Sequence, residues 1–504
     1  MFTKLIWQTS NELICMKAFV ATLIVTLVVT LPAIPPKGKV PWAQKFAKSK
    51  TVTADDASRL NRTEIMEVRV VPENPDEAEK ELQSILTQAH LDGIKVSIAG
   101  ARHTMGGHTI APDGIVIDMR AFNKLELREN GHILRTGSGA LWSQILPFLD
   151  QHGLSVGVMQ SNNSFSVGGS LSANCHGWQY NRAPIASTVE SFRLMKADGK
   201  IIRCSRDVNN ELFSLVLGGY GLFGIILDAD LRTVPNKAYG IERKVLPLTE
   251  AIPYYVDKIK NDKEIEMAYA RLNIVPKKLF SDIIISTFRQ NPQAAPPLRA
   301  PSKVFVRRSI FRFSAKSQAG KKLRWNAERS LEPKLQPDIF SRNQLLNEGV
   351  EIFENRSPFN TDILHEYFVP PENAKTFIDV TKNIVLKHKA NLLNVTIRSV
   401  NEDKDTLLRY ADSQMLAFVM LFNQRRSKSS DKKMEVLTRE LINEALNLDG
   451  RYYLPYRLHA TREQFIHAYP MAREFFEKKE KYDPKNILQN QFYIKYGRDK
   501  VPPL

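Results

Sequence analysis

The chain has 504 residues, 43% of them hydrophobic and 25% charged, with three cysteines and a formal charge of +17. That length suits roughly two to four domains, or one large core with an inserted lobe. The composition excludes a mainly disordered chain, a disulfide scaffold and a four-cysteine zinc or iron–sulfur site, while the charge favours an anionic partner and says nothing of fold.

Taken from the N-terminus, Ala18 to Leu31 reads AFVATLIVTLVVTL, fourteen apolar or threonine residues, and extension through Ile34 gives seventeen. A spanning helix needs about 20 residues, with a lower limit near 17. The segment is read as an uncleaved membrane anchor, so membrane association is expected. A signal-peptide core and a buried helix in a globular core are the alternatives; no A-x-A pattern follows to support cleavage. Five lysines (Lys37, Lys39, Lys45, Lys48, Lys50) follow it, and the positive-inside rule then puts the body in the cytoplasm. A signal peptide puts it in the periplasm, and both placements stay open. Residues 1–60 are therefore an anchor or signal followed by a basic linker.

From Ile65 strands and helices alternate. Strands are predicted at Glu67–Val71, Lys95–Ala99, Ile115–Met119, Leu125–Leu127, His132–Thr136, Val189–Lys196, Ile201–Cys204 and Gly224–Arg232. Helices are predicted at Pro75–Leu91, Leu141–Leu149 and Glu211–Leu217. After Pro235 come strands at Ile241–Leu248, Glu266–Leu272, Asp282–Phe288, His365–Val369, Leu393–Val400 and Met415–Phe422, with helices at Pro371–His388 and Lys432–Asn447. A single amphipathic helix is predicted over Arg462–Glu480, stopped by Tyr482-Asp483-Pro484. The fold class is α+β: residues 61–237 form one domain, 238–450 a second with an antiparallel sheet and crossing helices, and 451–504 a return segment.

The charge is concentrated. Ten basic residues and no acid lie between Ile283 and Ala327. With the five lysines of the linker they account for fifteen of the seventeen excess charges. The segment is expected to meet anionic headgroups or a phosphorylated substrate. Nucleic acid is not expected as a partner, because Phe305, Phe311 and Phe313 interleave at strand spacing and read as core.

Gly219–Gly224 spells G-x-G-x-x-G, but a helix precedes it and a strand follows, the reverse of a nicotinamide-binding fingerprint. Two other glycine-rich stretches are more informative. Gly100-Ala101-Arg102-His103-Thr104-Met105-Gly106-Gly107-His108 follows a strand, and Ser166-Val167-Gly168-Gly169-Ser170-Leu171-Ser172-Ala173-Asn174-Cys175-His176-Gly177 opens a turn of helix. Exposed backbone amides in such turns make anion-binding concavities. Two of them on one domain suggest a dinucleotide held without a Rossmann helix.

These stretches, with Ile117-Asp118-Met119-Arg120 and Leu217–Ile226, resemble the flavoproteins of the vanillyl-alcohol oxidase / p-cresol methylhydroxylase (PCMH) type. Cytokinin dehydrogenases are the nearest branch by eye, and the likeness covers about 62–237 closely and the C-terminus more loosely. The resemblance implies a two-lobed FAD-binding domain plus a substrate domain. It places the FAD pyrophosphate on Gly100–Gly107, with Ser166, Val167, Gly168, Gly169, Ser172, Asn174, His176 and Gly177 lining it and Gly221, Gly224, Ile225 and Ile226 on the adenine side. His103 stands where many members attach the flavin covalently; the alternative is dissociable FAD. His176 either approaches the flavin or bonds its own loop, and His108 is read as a solvated turn residue. Asn490 and Gln491, in the closing segment after Asp483-Pro484, either reach the isoalloxazine edge or cap the return loop.

The departures matter as well. Ser161 stands where cytokinin dehydrogenases carry an aspartate base, so cytokinin oxidation does not carry over. No cysteine stands at Asn162, Asn163 or Ser164, so a second covalent link is not expected. The H-W-[AG]-K of sugar-lactone oxidases is absent.

Hydride removal from carbon bearing OH or NH needs a base for the heteroatom proton and polar anchors. Period two puts Asn394, Thr396 and Arg398 on one strand face. The candidates for the base are Glu366, Tyr456 and His459, and no metal ligands are assigned. The resulting expectation is an FAD oxidoreductase acting on CH–OH of a polyol, sugar or lipid-linked sugar, with oxygen or quinone as electron acceptor. The alternatives are a quinone- or cytochrome-linked dehydrogenase of a CH–NH or other small substrate, and a non-catalytic flavin-fold protein.

Overall fold

The computed structural model describes residues 52–498 except 181, 301–303, 332–333 and 335–336. The apolar segment Ala18–Ile34 and the lysines that follow it lie outside the described residues. Among the described residues no helix is long and apolar enough to cross a membrane.

Three strands, Glu67–Val70, Ile115–Asp118 and Val96–Ala99, form a parallel sheet with Ile115–Asp118 in the middle. Every side chain of that middle strand is buried, as a parallel strand covered on both faces requires. Helix Pro75–Asp92 packs Ala78, Leu82, Ile85, Leu86 and Ala89 into the same apolar cluster. Its limits are local. Asn74 accepts from the amides of Asp76 and Glu77, Pro75 takes the first helical position, and Gly93 ends the helix at φ 69°. The return segment adds to the sheet's edge: Val96 N donates to Ile487 O at 2.8 Å and Gln489 N to Val96 O at 2.9 Å.

A second sheet is antiparallel and runs in the order Ile201–Ser205, Val189–Met195, Ile225–Pro235, Ile133–Gly137, Leu125–Arg128, with Leu154–Val156 paired to the far end of Ile225–Pro235. The largest sheet has eight strands in the order Ile339–Ser341, Ala238–Pro247, Asp282–Asn291, Ile265–Leu272, Asn391–Val400, Met415–Arg425, Asn360–Val369, Arg451–Tyr452. All its pairings are antiparallel. The fold is thus a mixed α+β architecture, a parallel region followed by a large antiparallel sheet.

Helices Ala374–Lys387 and Lys428–Asn447 cover one face of the large sheet, with Phe377 set against Tyr367 and Phe418. Alternation then sorts the strand Asn360–Val369. His365 and Tyr367 turn to the helices, while Glu366 and Phe368 turn to the loop around His176.

Three expectations change. The predicted helix Arg462–Glu480 is two helices, Arg462–Ala468 and Ala472–Tyr482. Pro470 lies between them, and its missing N–H and its ring prevent continuation. Phe305, Phe311 and Phe313 belong to helix Val304–Lys316 rather than a strand, and only Phe311 is buried. The described end of the supposed linker is ordered: Val52–Ala54 pairs with Thr63–Ile65, and the turn between them packs on the first glycine loop.

Candidate active site

The two glycine-rich stretches meet. Ala101 N donates to Ser166 Oγ at 3.2 Å. A Cβ on Gly100 would stand 2.0 Å from Ser166 Oγ, and one on Gly168 would stand 2.8 Å from Ser138 Cβ. Glycine is therefore a steric requirement of this close approach. Asp56 fastens the far end of the first loop, its Oδ2 accepting from Gly107 N at 2.8 Å and from Asn61 Nδ2 at 2.5 Å. Asp56 was hidden in the presumed linker; the Asp-x-Ser spacing of Asp56 and Ser58 is the turn signal that marks it.

Within this cradle His103 stacks on Phe165 at 4.1 Å, and its Nε2 lies 3.1 Å from Ser164 O. Burial pushes its imidazole down to about 4, so the ring is neutral at physiological pH. With Nε2–H donating to the carbonyl, the lone pair resides on Nδ1. His108 is not solvated; it is buried between Tyr220 and Phe492, two rings brought in from distant segments. The Met105 amide donates to Pro455 O at 2.8 Å, and Gly106 is pressed against Tyr456 O, so the loop also touches the segment that carries Tyr456.

Other residues of the set hold the loops together. Ser172 O accepts from Tyr220 N at 3.0 Å, joining the second stretch to the Gly218–Gly221 turn. Asn174 takes a positive φ of 47°; its side chain binds Asp403 Oδ2 at 2.8 Å and Ala186 N at 3.1 Å. Gly221 and Gly224 have φ of 74° and 155°, which lets the chain turn into strand Ile225–Pro235, where Ile225 and Ile226 pair with Met195 and Leu194. Asn490 caps the last helix through Tyr493 N and donates to Tyr220 O at 2.9 Å. Gln491 bonds Thr63 Oγ1 at 2.7 Å, and its amide donates to Gly107 O. Both thus tie the return segment down.

Glu366 stands where the large sheet meets these loops. Its Oε1 lies 2.5 Å from His176 Nε2, and its Oε2 accepts from Tyr456 OH at 2.9 Å. Glu366 and His176 are buried. Burial raises the Glu366 carboxyl, but His176, Arg398 and Tyr456 more than offset it, leaving it below the usual carboxylate range. Burial and the adjoining carboxylate push the Tyr456 phenol well above its ordinary value, so it remains a donor. Phe368, Tyr410 and Tyr453 surround the His176 ring. The site is therefore a buried cluster holding one ionised carboxylate between two donors.

His459, the third candidate base, has other partners. Its Nε2 meets Asp431 Oδ1 at 3.2 Å and its Nδ1 meets Thr438 Oγ1 at 3.0 Å. Arg457 Nη2 donates to Asp431 Oδ2 at 2.6 Å and also binds Asn61. This network joins helix Lys428–Asn447 to the turn behind Asp56, leaving Glu366 and Tyr456 as the pair that is brought together. Gln424 is drawn towards the same Asp431, and Asn423 binds Asp362.

Sheet register carries the Glu366 face further. Glu366 pairs with Val419, Val419 with Thr396, and Thr396 with Arg271, so these side chains share one face. Asn394 and Arg398 flank Thr396 on it, and Asn394 binds both Arg271 and Thr396. The row ends in a small niche lined by Arg271, Lys321, Arg324, Glu328 and Asn394. Arg271 and Arg324 share the Glu328 carboxylate, and burial lowers Lys321 to about 8. The polar face predicted from Asn394, Thr396 and Arg398 thus exists, and it is bounded by cations.

A dinucleotide can be tested against the glycine cradle. The hydroxyls of Thr104, Ser138 and Ser161 and both amide atoms of Gln179 are buried, and none makes a hydrogen bond among the described residues. Buried polar groups are nearly always satisfied, so donors and acceptors left unmet beside two amide-rich turns fit a polar ligand laid across them. The family of FAD binding domains matches residues 70–205. This part of the chain is an FAD-binding domain of the PCMH type.

The match extends to curated proteins as distant homology. Cytokinin dehydrogenase 10 of Oryza sativa subsp. japonica is 33% identical over 149 residues, 28% of this chain and 27% of that protein. Cytokinin dehydrogenase 8 of Oryza sativa subsp. indica is 31% identical over 181 residues, 33% of this chain and 34% of that protein. L-gulonolactone oxidase of Mus musculus is 28% identical over 157 residues, 31% of this chain and 36% of that protein. The chain thus spans about a third or less of the length of these relatives.

Proposed function

We propose that the protein is an FAD-dependent oxidoreductase that removes a hydride from a CH–OH carbon of a polyol, a sugar or a lipid-linked sugar. The observation that carries this reading is the Glu366 carboxylate, held between His176 and Tyr456 where the large sheet meets the FAD-binding domain. FAD, when bound, supplies the hydride acceptor. The Gly100–Gly107 and Ser166–Gly169 turns would hold its pyrophosphate through groups other than the amides of Ala101, Met105, Gly107, Val167 and Gly168, which already donate within the protein. Glu366 is the base: it takes the hydroxyl proton as the carbon–hydrogen bond breaks. Tyr456 keeps its own proton and orients the Oε2 lobe, and His176 orients Oε1 from the loop side.

The row Thr396, Arg398, Asn394 and Arg271 makes a polar face, bonded in part to itself, which favours a polyhydroxylated substrate over an apolar one. Ser161, whose hydroxyl makes no internal bond, offers no carboxylate, so the chemistry named for the cytokinin dehydrogenases is not carried over. His103 is the residue for a covalent flavin link, through Nδ1, because Nε2 is engaged with Ser164 O. The electron acceptor would be oxygen or a quinone.

The test is anaerobic mixing of the flavin-loaded protein with a panel of alcohols, polyols and lipid-linked sugars. Bleaching of the flavin band by a hydroxylated member supports the reading. A flavin that every member leaves oxidised refutes it.

A further inference from the structure

The basic segment between Ile283 and Ala327 has two unlike sides. Helix Val304–Lys316 turns one side inward. Phe311 is buried there, with Arg312 and Arg324 over its ring, and Asn391 Nδ2 donates to Ala315 O at 2.9 Å. The cations nearest that side are matched inside the protein: Arg307 with Glu348, Arg308 with Glu354 and Arg312 with Asp362.

The other side is apolar and uncovered. Phe305 is 60% exposed, Val306 47%, Ile310 38% and Phe313 45%. At 100° per residue these four and Lys316 fall on one flank of the helix. Leu323, on the next helix, Gln318–Asn326, is also exposed, as is Lys322 beside it. A soluble surface scatters such side chains singly; four on one helical flank mark an interaction surface.

We propose that this flank docks on an anionic lipid surface, with Phe305, Val306, Ile310 and Phe313 entering the headgroup–acyl boundary and Lys316 and Lys322 facing the phosphates. Charge complementarity selects this occupant. No acid lies between Asp282 and Glu328, so the exposed charges along the helix are all positive. An apolar stripe edged by lysines is the pattern of an interfacial helix, held by burial of apolar area and attraction to anionic lipid together. A second copy of the same patch would set like charges against each other. The docking stands independently of the oxidoreductase reading.

The test uses the full, flavin-loaded chain with an environment-sensitive fluorophore on Phe305→Cys in a Cys15→Ser background, since Cys175 and Cys204 are buried. A second preparation carries the label at Val208→Cys, an exposed site on the FAD-binding domain. Vesicles of phosphatidylcholine, with or without phosphatidylglycerol, are added at low and high salt. The expected result is a blue shift at position 305, and quenching by brominated acyl chains, only with phosphatidylglycerol and weaker at high salt, with no shift at 208.

Two results would overturn the proposal. The first is a label at 305 that stays in water while the chain sediments with vesicles, which would assign binding to residues 18–34 alone. The second is a label already in an apolar setting without lipid, which would assign the flank to the chain's own N-terminal segment or to a second copy. Circular dichroism and flavin content of Phe305→Cys check its fold.

Discussion

Glu366 and His176 stand 190 positions apart in sequence and 2.5 Å apart in space, joining the large sheet to the second glycine-rich stretch through one short hydrogen bond. With Tyr456 on the other oxygen, the carboxylate is fixed on both sides. In the proposed reaction this carboxylate is the group that receives the substrate's hydroxyl proton.

The first prediction concerns pH. Glu366 is depressed below its ordinary value by His176, Arg398 and Tyr456, so it is ionised at neutral pH and protonates only below the usual carboxylate range. The rate constant of flavin reduction should therefore be flat through neutrality and fall on the acid side. Tyr456→Phe removes a donor to the carboxylate, so the acid limb should move to higher pH. Stopped-flow reduction across pH checks both, and an unmoved limb removes Tyr456 from the site.

The second concerns the closeness of the two loops. Gly100→Ala puts a methyl within 2.0 Å of Ser166 Oγ and should cost about 1–3 kcal/mol by overpacking, with loss of bound flavin. Because the obstructing atoms are Ser166 Oγ and Cβ, Ser166→Gly in the same chain should restore most of the flavin content. Chemical denaturation and flavin absorbance per protein measure the pair, and absence of rescue would mean that the loops are held apart by something else.

The third concerns the Asp431 network. Burial raises Asp431, but the His459 hydrogen bond and the Arg457 charge outweigh it and hold the carboxyl far below its usual range. A depressed carboxylate contributes its full stability above the unfolded value and loses it as pH falls below about 4. Asp431→Asn should therefore cost about 2 kcal/mol near neutrality and flatten the acid side of the thermal stability curve. Scanning calorimetry between acid and neutral pH reads this directly.

The fourth concerns His103. If Nδ1 carries the flavin, acid precipitation should leave the yellow colour in the pellet, and His103→Ala should release it to the supernatant while folding as before. Complete release from the unaltered protein excludes the link.

How much was legible in the sequence depends on how local each signal is. Helix Pro75–Asp92 was readable because Asn74, Pro75 and Gly93 act within one turn of its ends. The glycine loops were readable as tight turns for the same reason. Glu366 was readable as a strand residue, but not as the partner of His176, because that contact depends on how the sheet docks. His108 misled because a histidine in a Gly-Gly turn looks solvated until Tyr220 and Phe492 close over it. The helix Val304–Lys316 misled because it is apolar on two sides, so its phenylalanines satisfy strand spacing and helical spacing alike. Asp56 and Arg271 were missed because their roles come from folding back onto Gly107 and Asn394.

The most direct test of the account is the rate of anaerobic flavin reduction by the best hydroxylated substrate in Glu366→Gln against the unaltered protein. Glutamine keeps the shape and one acceptor but cannot take the proton. The account predicts unchanged flavin content with a fall in the rate constant of roughly 10²–10⁴-fold, the usual worth of a positioned base. A variant that reduces its flavin as fast as the unaltered protein would contradict it.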